Sequence, residues 1–390
     1  MWEECCISII CIEHLYQYML LTLQLKLVPS DEQKVVLLKT MEQYNASCNY
    51  ISEVAFESRT FGKVGLQKLV YYDVKDRFGL SAQMVVRAIG KVSESYKVDR
   101  KTQHEFKPHG AIQYDQRNLT FKTMDTVSIL TLEKREKINF VCGNYRELDL
   151  ERVKGQADLV YRDNQFYLLI VCDVPEEEPI NSDRVIGIDL GIVNLATTSE
   201  GRVFSGDACK KVRQKYQKTK SALQSVGTWD AKKHLKKLSK RERRFKKDTN
   251  HCISKDVVQY AKGTLSSIAL EDLSGIRDKV TVRKAQREEH SKWAFGELSQ
   301  FIKYKAQLAG VLVYLVDPRN TSRQCSECGY IDKKNRKSQS EFVCKSCNHT
   351  ENADINAAKN IAQRAAVNQP IALCSSERLK CKPMTLVVGY

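Results

Sequence analysis

Two Cys-x-x-Cys pairs near the C-terminus could hold a metal ion. The four thiols come from Cys325, Cys328, Cys344 and Cys347, with 15 residues between the pairs. This spacing is typical of a structural zinc site, because two knuckles of two thiolates each close a tetrahedron around one Zn²⁺. Gly329 and the Asn348-His349 step suit the tight turns that knuckles need. The alternative is four buried free cysteines, which would require both Cys-x-x-Cys pairs and the gap between them to arise by chance. We therefore predict a zinc ribbon with one structural zinc ion.

Three carboxylates at unusual positions could bind a second kind of metal. Asp189 lies in the apolar strand VIGIDLG, where a charge is costly unless it is paired or binds a metal. Glu271 ends the apolar run SSIALE, and Asp354 opens the helix that follows the cysteines. Each has an ordinary structural explanation as well, as a solvated strand end or a helix N-cap. Asp272 competes with Glu271, although strand alternation places Glu271 on the face opposite Leu270.

Convergence of these acids would create a catalytic metal site. Three neighbouring carboxylates repel one another and raise their pKa values, and a pair of Mg²⁺ ions relieves that repulsion. Two such ions activate water and stabilise the leaving oxygen of a phosphodiester, while open coordination positions accept substrate phosphates. Spacing alone leaves convergence open, because 82 and 83 residues separate the three acids.

The charge of the chain favours a polyanionic partner. Net charge is +16, from 63 basic and 47 acidic residues among 390. Residues 207–262 hold 18 Lys or Arg against 5 Asp or Glu. Such a run is often a solvated face, but Leu235, Leu238 and Phe245 keep a partial apolar stripe that suits packing. We expect this segment to contact nucleic acid, with an acidic membrane as the second choice.

The composition indicates a cytoplasmic protein. Of the 14 cysteines only the four above have a recognisable spacing, which is typical of a reducing compartment. The N-terminal stretch MWEECCISIICIEHLYQYMLL is interrupted by acidic residues and His14, so it predicts neither a membrane span nor a signal peptide. The ordered pattern begins after Met19, which leaves the start codon open between Met1 and Met19.

The elements that must position the acids follow from hydrophobic periodicity. Residues 19–28 predict a strand, Ser30 and Gln33 a capping box for a long helix, and two more helices follow before residue 98. Short β-type runs over 104–180, with a hairpin turn at Asp163-Asn164, complete a small β domain interrupted by a helical one.

Beyond the linker PEEEP, strands alternate with helices. The strand-like runs are VIGIDLG, TLSSIALEDLSG and VLVYLVDP, and the helical ones are the basic segment, broken near Gly227, then LSQFIKYKAQLAG and DINAAKNIAQRAA. This alternation predicts an α/β sheet with the zinc ribbon inserted before its last helix. His251, just after the basic run, is expected to have a local structural role, and the tyrosines of the first helices are expected to lie mostly in the core.

Several of these segments resemble the TnpB family of transposon-encoded nucleases, which are similar to the type V CRISPR effectors. GIDLGIVNLATTS, IALEDLSGI, NTSRQCSECGY, VCKSC and NADINAAKNIA carry the resemblance in this order, across residues 183–365. It implies that Asp189, Glu271 and Asp354 coordinate catalytic Mg²⁺ and that the four cysteines bind Zn²⁺. One departure is Asn352, where family members often carry an acid.

The resemblance also implies an architecture: an α/β, RNase H-like (RuvC) nuclease domain with an inserted zinc ribbon, preceded by a small β-barrel-like wedge domain interrupted by a helical recognition domain. The expected divisions are an extension (1–18), the wedge-like β domain (19–29 and 101–180), the helical recognition domain (30–100), the RuvC-like domain (183–318), the zinc ribbon (319–350), the last RuvC-like segment (351–366) and a disordered tail (367–390).

The function that follows is an RNA-guided, magnesium-dependent endonuclease. It would bind a guide RNA and cut double-stranded DNA beside a short fixed motif, with the acids Asp189, Glu271 and Asp354 at the metal ions. One alternative is a non-cutting guided repressor or transposition regulator, a branch that the retained acids argue against. Another is an unguided RNase H-like resolvase or transposase.

Overall fold

The computed structural model describes residues 18–142, 152–273, 295–367 and 384–386. These residues divide into two compact units, 18–174 with 384–386 and 175–367. The predicted extension at 1–18 lies almost entirely outside the described residues. The helices are α1 Asp31–Glu57, α2 Lys63–Phe78, α3 Ala82–Val98, α4 Asp207–Val226, α5 Trp229–Gly263, α6 Phe295–Leu308 and α7 Ala353–Val367. The strands are β1 Tyr18–Val28, β2 Ile112–Tyr114, β3 Leu119–Phe121, β4 Thr126–Leu130, β5 Arg135–Val141, β6 Val153–Arg162, β7 Gln165–Pro175, β8 Val185–Asp189, β9 Asn194–Thr198, β10 Val203–Ser205, β11 Ser267–Glu271, β12 Val313–Val316, β13 Glu341–Val343, β14 Thr350–Asn352 and β15 Met384–Leu386.

The first unit is a mainly antiparallel sheet with three helices. Its strand order is β2-β6-β7-β1-β5-β4-β3, and β15 pairs with β1. The predicted capping box starts α1: Gln33 N donates to Ser30 Oγ (3.2 Å), and Ser30 N donates to Gln33 Oε1 (3.1 Å). The β6–β7 hairpin turns at Asp163 and Asn164, whose φ values of 50° and 61° suit a two-residue turn. Both predictions are confirmed.

Helices and sheet share one core in this unit. Leu23, Leu25 and Leu27 of β1 are buried together with Leu37 and other residues of the three helices. The predicted separate helical domain over 30–100 therefore differs from the structure. The reason is that the apolar faces of β1 and of the helices cover each other. Assigning wedge and recognition roles to these parts stays a prediction.

The tail expected to be disordered contains a strand. Residues 384–386 pair in parallel with Leu21–Leu23 of β1, whereas β5 pairs with β1 only at 26–28. Because β5 does not reach the first half of β1, backbone N–H and C=O groups there lack a partner from β5, and β15 pairs with them. The prediction is wrong for these three residues, and 368–383 and 387–390 lie outside the described part of the chain.

The tyrosines of the helices divide between core and surface. Tyr44 is 1% exposed, and Tyr50 and Tyr71 pack partly against the core, as predicted. Tyr72, in contrast, is 75% exposed on α2.

The second unit contains a five-stranded mixed sheet in the order β10-β9-β8-β11-β12. Strands β8, β11 and β12 run parallel, while β9 and β10 form an antiparallel meander from β8. One face packs Ile188 and Leu270 against apolar residues of α5 and α6. The other face packs Ala269 against Ile361 and Ala365 of α7. The predicted α/β sheet is thus present, with helices on both faces.

Gly187 allows α7 to lie directly on β8. A Cβ atom at this position would fall far inside van der Waals contact with the Ala358 carbonyl oxygen and 2.6 Å from the Ala362 nitrogen. Both opposing atoms belong to helix backbone, which cannot move aside as a flexible side chain can. Glycine at 187 is therefore required by the close approach of helix and strand.

Gly187→Ala should be strongly destabilising. Because the added methyl group collides with the backbone of α7, we expect a loss of about 3 kcal/mol or more in the free energy of unfolding, measured by urea denaturation. Gly263→Ala is the matched control, since Gly263 lies in α5 with nothing near its Cβ position. Equal stabilities of the two variants would contradict the assigned contact.

Candidate active site

Asp189 and Glu271 lie side by side at one edge of the mixed sheet. Each is the last residue of its strand, and the parallel register pairs Leu270 with Ile188 directly before them. Alternation along both strands points the two acids toward the face that α7 covers, because Gly187 and Ala269 lie on that face. This is the carboxyl end of the parallel strands, where α/β sheets commonly bind ligands.

Asp354 reaches the same edge from the first turn of α7. Asn352 caps this helix, since its Oδ1 accepts from the backbone N–H groups of Asp354 (2.9 Å) and Ile355 (3.3 Å). Because an amide caps a helix as an acid does, the departure from the TnpB pattern at Asn352 keeps the cap. Because Asn352 supplies the cap, the carboxylate of Asp354 is not needed for capping and can face the other two acids.

The pKa of Asp189 reflects the charges of the other two acids. Burial first, and then the charges of Glu271 and Asp354, raise the pKa of Asp189 to about 7 against the opposing charge of Arg336. Burial likewise raises the pKa of Glu271, against the hydrogen bond from Thr321 and the charge of Arg364. The structure thus brings the three predicted acids together, whereas the competing Asp272 is exposed.

Three polar side chains orient these acids. Asn194 Nδ2 donates to Asp354 Oδ2 (2.9 Å), and an Arg336 amino group lies 3.3 Å from Asp354 Oδ1. Thr321 Oγ1 donates to Glu271 Oε1 (2.6 Å). Sequence reasoning assigned no role to any of the three, although Asn194 and Thr321 lie within the motifs GIVNLATTS and NTSRQCSECGY.

An all-oxygen donor set of this kind suits Mg²⁺. The carboxylates are hard ligands, and two of them have raised pKa values that a cation would lower again. The three acids are spaced more widely than the cysteines, which in the described ranges are the only group of three or more ligand residues whose atoms all lie within 4.8 Å of one another.

The four cysteines fit a zinc ion. The Sγ atoms of Cys325 and Cys347 are 3.7 Å apart, and those of Cys328 and Cys344 are 3.5 Å apart. Zn–S bonds of about 2.3 Å in a tetrahedron require S–S distances of about 3.8 Å. Gly329 (φ 76°) and Asn348 (φ 58°) take the left-handed conformation after each pair, as predicted for the knuckle turns.

Helix α7 holds the first knuckle through a row of polar side chains. Asn356 bonds the backbone of Gln324 and Ser326, and Asn360 Nδ2 donates to the carbonyl oxygens of Thr321 (2.8 Å) and Gln324 (2.7 Å). Arg364 donates to the carbonyl oxygen of Asp317 (2.7 Å). The helix that carries Asp354 is therefore fixed to the ribbon as well as to β8.

The basic segment forms α4 and α5, with the predicted break at Gly227 (φ 67°). Leu238 is buried, while Lys233, Lys237 and Arg241 are exposed. His251 stacks on Phe301 of α6, with ring centroids 4.1 Å apart, and burial lowers its pKa to about 4. A local structural role for His251 is consistent with this packing.

No helix in the described ranges has the length and apolarity needed to cross a membrane.

Two family models match this chain. The model "Cas12f1-like, TNB domain" matches residues 295–361, and the model "Probable transposase" matches residues 169–277. The first match contains the cysteines and Asp354, and the second contains Asp189 and Glu271. The resemblance to the TnpB and type V effector proteins is thus confirmed.

Curated relatives carry matching names. CRISPR-associated endodeoxyribonuclease Cas12f1 of Sulfoacidibacillus thermotolerans is 33% identical over 52% of this chain and 50% of its own length. TnpB-like protein MJ0751 of Methanocaldococcus jannaschii is 26% identical over 62% of this chain and 91% of its own. Putative RNA-guided DNA endonuclease InsQ of Escherichia coli is 26% identical over 57% of this chain and 60% of its own. The chain spans about half the length of the Cas12f1 relative.

Asp189→Asn should stabilise the metal-free protein. A folded-state pKa of about 7, above the model-peptide value of 3.8, means that stability from Asp189 is complete below pH 3.8 and is lost as pH rises through 7. In EDTA at pH 8 we expect the variant to be more stable by about 2 to 4 kcal/mol, with a smaller gain at pH 5. Urea denaturation at both pH values measures the difference. Asp183→Asn, at an exposed site in the same unit, is the control. If Asp189→Asn raised the free energy of unfolding equally at both pH values, the result would contradict the burial of a charged carboxylate.

The purified protein should contain about one zinc ion per chain. Cys344→Ser removes a buried ligand and should lower zinc content roughly tenfold, as measured by elemental analysis, and make the ribbon sensitive to protease. Cys252→Ser, at an exposed cysteine of α5, should behave as the unsubstituted protein. A zinc-free protein with an unchanged protease pattern would refute the structural role.

Proposed function

We propose that this chain, given its similarity to TnpB-like and Cas12f1 proteins, is an RNA-guided endonuclease that cuts double-stranded DNA by magnesium-dependent phosphodiester hydrolysis. The observation that carries the proposal is the meeting of Asp189, Glu271 and Asp354 at the carboxyl edge of the mixed sheet. Association with a transposon and recognition of a short fixed motif beside the target are part of the proposal.

Asp189, Glu271 and Asp354 would hold the metal. When bound there, a pair of Mg²⁺ ions would activate the attacking water and stabilise the leaving oxygen. Thr321 and Asn194 each donate to one acid and so fix its orientation before any cation arrives. The Arg336 guanidinium lies against Asp354 and offsets part of the negative charge of the cluster. The same cation could attract a DNA phosphate to this edge.

The mixed sheet supports a RuvC-like assignment for the second unit. Its parallel strands β8 and β11 end in acids, and the third acid comes from a helix packed over β8. A fold of this type brings carboxylates from distant parts of the chain to one edge of the sheet.

Two surfaces suit nucleic acid. On α5, exposed Lys233, Lys237 and Arg241 form a basic row that would gain affinity by counterion release. On α2, the exposed Tyr72 lies one helical turn from Lys68 and Lys75, and an aromatic ring among cations suits base stacking. We assign guide RNA and target duplex to these surfaces, with sequence read by base pairing to the guide.

Asp189→Ala should abolish cutting and spare RNA binding. Sequencing the RNA that copurifies with the protein supplies the guide, and a plasmid library with a matching target beside randomised bases supplies the substrate. We expect cleavage only with Mg²⁺ and a loss on the order of a thousandfold or more in the variant, because its metal ligand is gone.

Asp272→Asn is the matched control for the acids, since Asp272 follows Glu271 directly but is exposed. It should cut at the unsubstituted rate, while Glu271→Gln should not cut. Full cleavage by Asp189→Ala, or cleavage in EDTA, would refute the catalytic assignment. Strand-transfer products without a guide would favour a transposase instead.

A further inference from the structure

A cleft lies between the start of β9 and helices α4 and α5. Its walls are the turn residues Ile192 and Val193 with Leu195, one face of α4, and a stretch of α5 around Phe245. None of these side chains has a role in the metal site described above. The cleft lies wholly within the second unit.

The wall formed by the turn after β8 packs closely against the start of α4. Gly206, at the start of α4, donates its backbone N–H to the carbonyl oxygen of Val193 (2.7 Å). A Cβ atom at Gly206 would lie 2.6 Å from that same oxygen, so the turn after Asp189 is held tightly against α4. The shape of the cleft and the position of Asp189 are therefore linked through the short turn between β8 and β9, which this hydrogen bond holds against α4.

The apolar face of α4 is only half covered. In a helix of 20 residues, no side chain is fully buried. Cys209, Val212 and Tyr216 recur at helical spacing, line the cleft and remain partly exposed. An open aromatic and aliphatic wall of this kind suits a flat apolar group that enters from outside.

The rim of the cleft has a small excess of positive charge. Lys210, Arg213 and Lys246 line it together with the exposed acid Asp207. Glu242 also lines it, but this carboxylate is paired with Lys220 and lies 3.6 Å from the Lys246 ammonium group. An apolar interior with a positive rim matches a nucleotide, whose base stacks while its phosphate stays at the edge.

The cleft and the acids lie on opposite faces of the sheet at the first residues of β9. Asn194 donates to Asp354, whereas its neighbours Val193 and Leu195 face the cleft, as alternation along β9 requires. Consecutive residues of one strand therefore contact Asp354 and line the cleft, so DNA lying on the acids would reach the cleft within about two nucleotides.

We propose that this cleft binds a nucleobase of the strand being cut, within about two nucleotides of the scissile phosphate, with Tyr216 as the stacking residue. The inference rests on the proposed nuclease function and adds to it a device that positions the strand. A base held there would keep the phosphate at the acids in register with the metal ligands, so the base contact would affect the rate of cutting.

Abasic scanning tests the proposal. Each nucleotide around the cut is replaced in turn by an abasic site, and single-turnover cleavage by the guided protein is measured. We expect one position at which the missing base slows cutting roughly tenfold. Tyr216→Ala should slow cutting of the intact strand by a similar factor, and the abasic site should slow this variant no further. Tyr216→Phe keeps the aromatic ring, so it should cut the intact strand at the unsubstituted rate and should still be slowed by the abasic site. Leu223→Ala, on α4 but outside the cleft, should match the unsubstituted protein.

A binding measurement separates failure of the cleft from failure of the nuclease. Asp189→Asn protein is mixed with guide and with target strands that carry 2-aminopurine at single positions. Quenching at one position, lost in the Asp189→Asn, Tyr216→Ala double variant, supports the cleft whether or not the protein cuts. A flat abasic profile in a protein that does cut, or undiminished quenching in the double variant, would overturn the inference.

Discussion

The packing of α7 against β8 is the contact on which the candidate active site depends. Gly187 removes the side chain that would hold the helix away, and the backbone of Ala358 fills the space. Two residues farther along the strand is Asp189, and one turn before Ala358 is Asp354. The distance between these two acids is therefore set by helix and strand backbones rather than by flexible side chains, which is the precision that a shared metal site requires.

The same arrangement stores unfavourable electrostatic energy. Burial and the neighbouring charges of Glu271 and Asp354 hold Asp189 at a pKa of about 7, so the metal-free cluster opposes its own ionisation. Arg336 offsets part of this charge, and Thr321 donates to Glu271. Both come from the segment around the first cysteine pair and its loop. Residues that destabilise a fold while they hold chemistry in place are typical of functional sites.

Much of the molecule could be predicted from the sequence, because periodicity and spacing are local signals. The knuckle turns, the capping box at Ser30, the break at Gly227 and the alternation of strands and helices in the second unit all follow from neighbours in the chain. Two features could not be predicted in this way: the pairing of β15 with β1, and the single core that the helices share with the sheet. Both depend on contacts between distant segments. For the acids, position within strands indicated candidates, but their meeting depended on strand register and on the close approach at Gly187. Asn194, Thr321 and Arg336 had no local signal that separates an orienting side chain from an ordinary polar one.

The four-cysteine ribbon is connected to the candidate active site through α7. Asn356, Asn360 and Arg364 lie on one face of that helix and satisfy backbone carbonyl and N–H groups of the chain between Asp317 and Ser326. Such buried polar contacts are costly to leave unmade, so the knuckle and the helix favour one mutual position. Zinc bound to the four thiols would close the knuckle and fix that backbone, and the helix in turn fixes Asp354. Loss of zinc would thus loosen Thr321, Arg336 and the start of α7 together, which makes the ribbon a support for the carboxylates although the thiols lie apart from them.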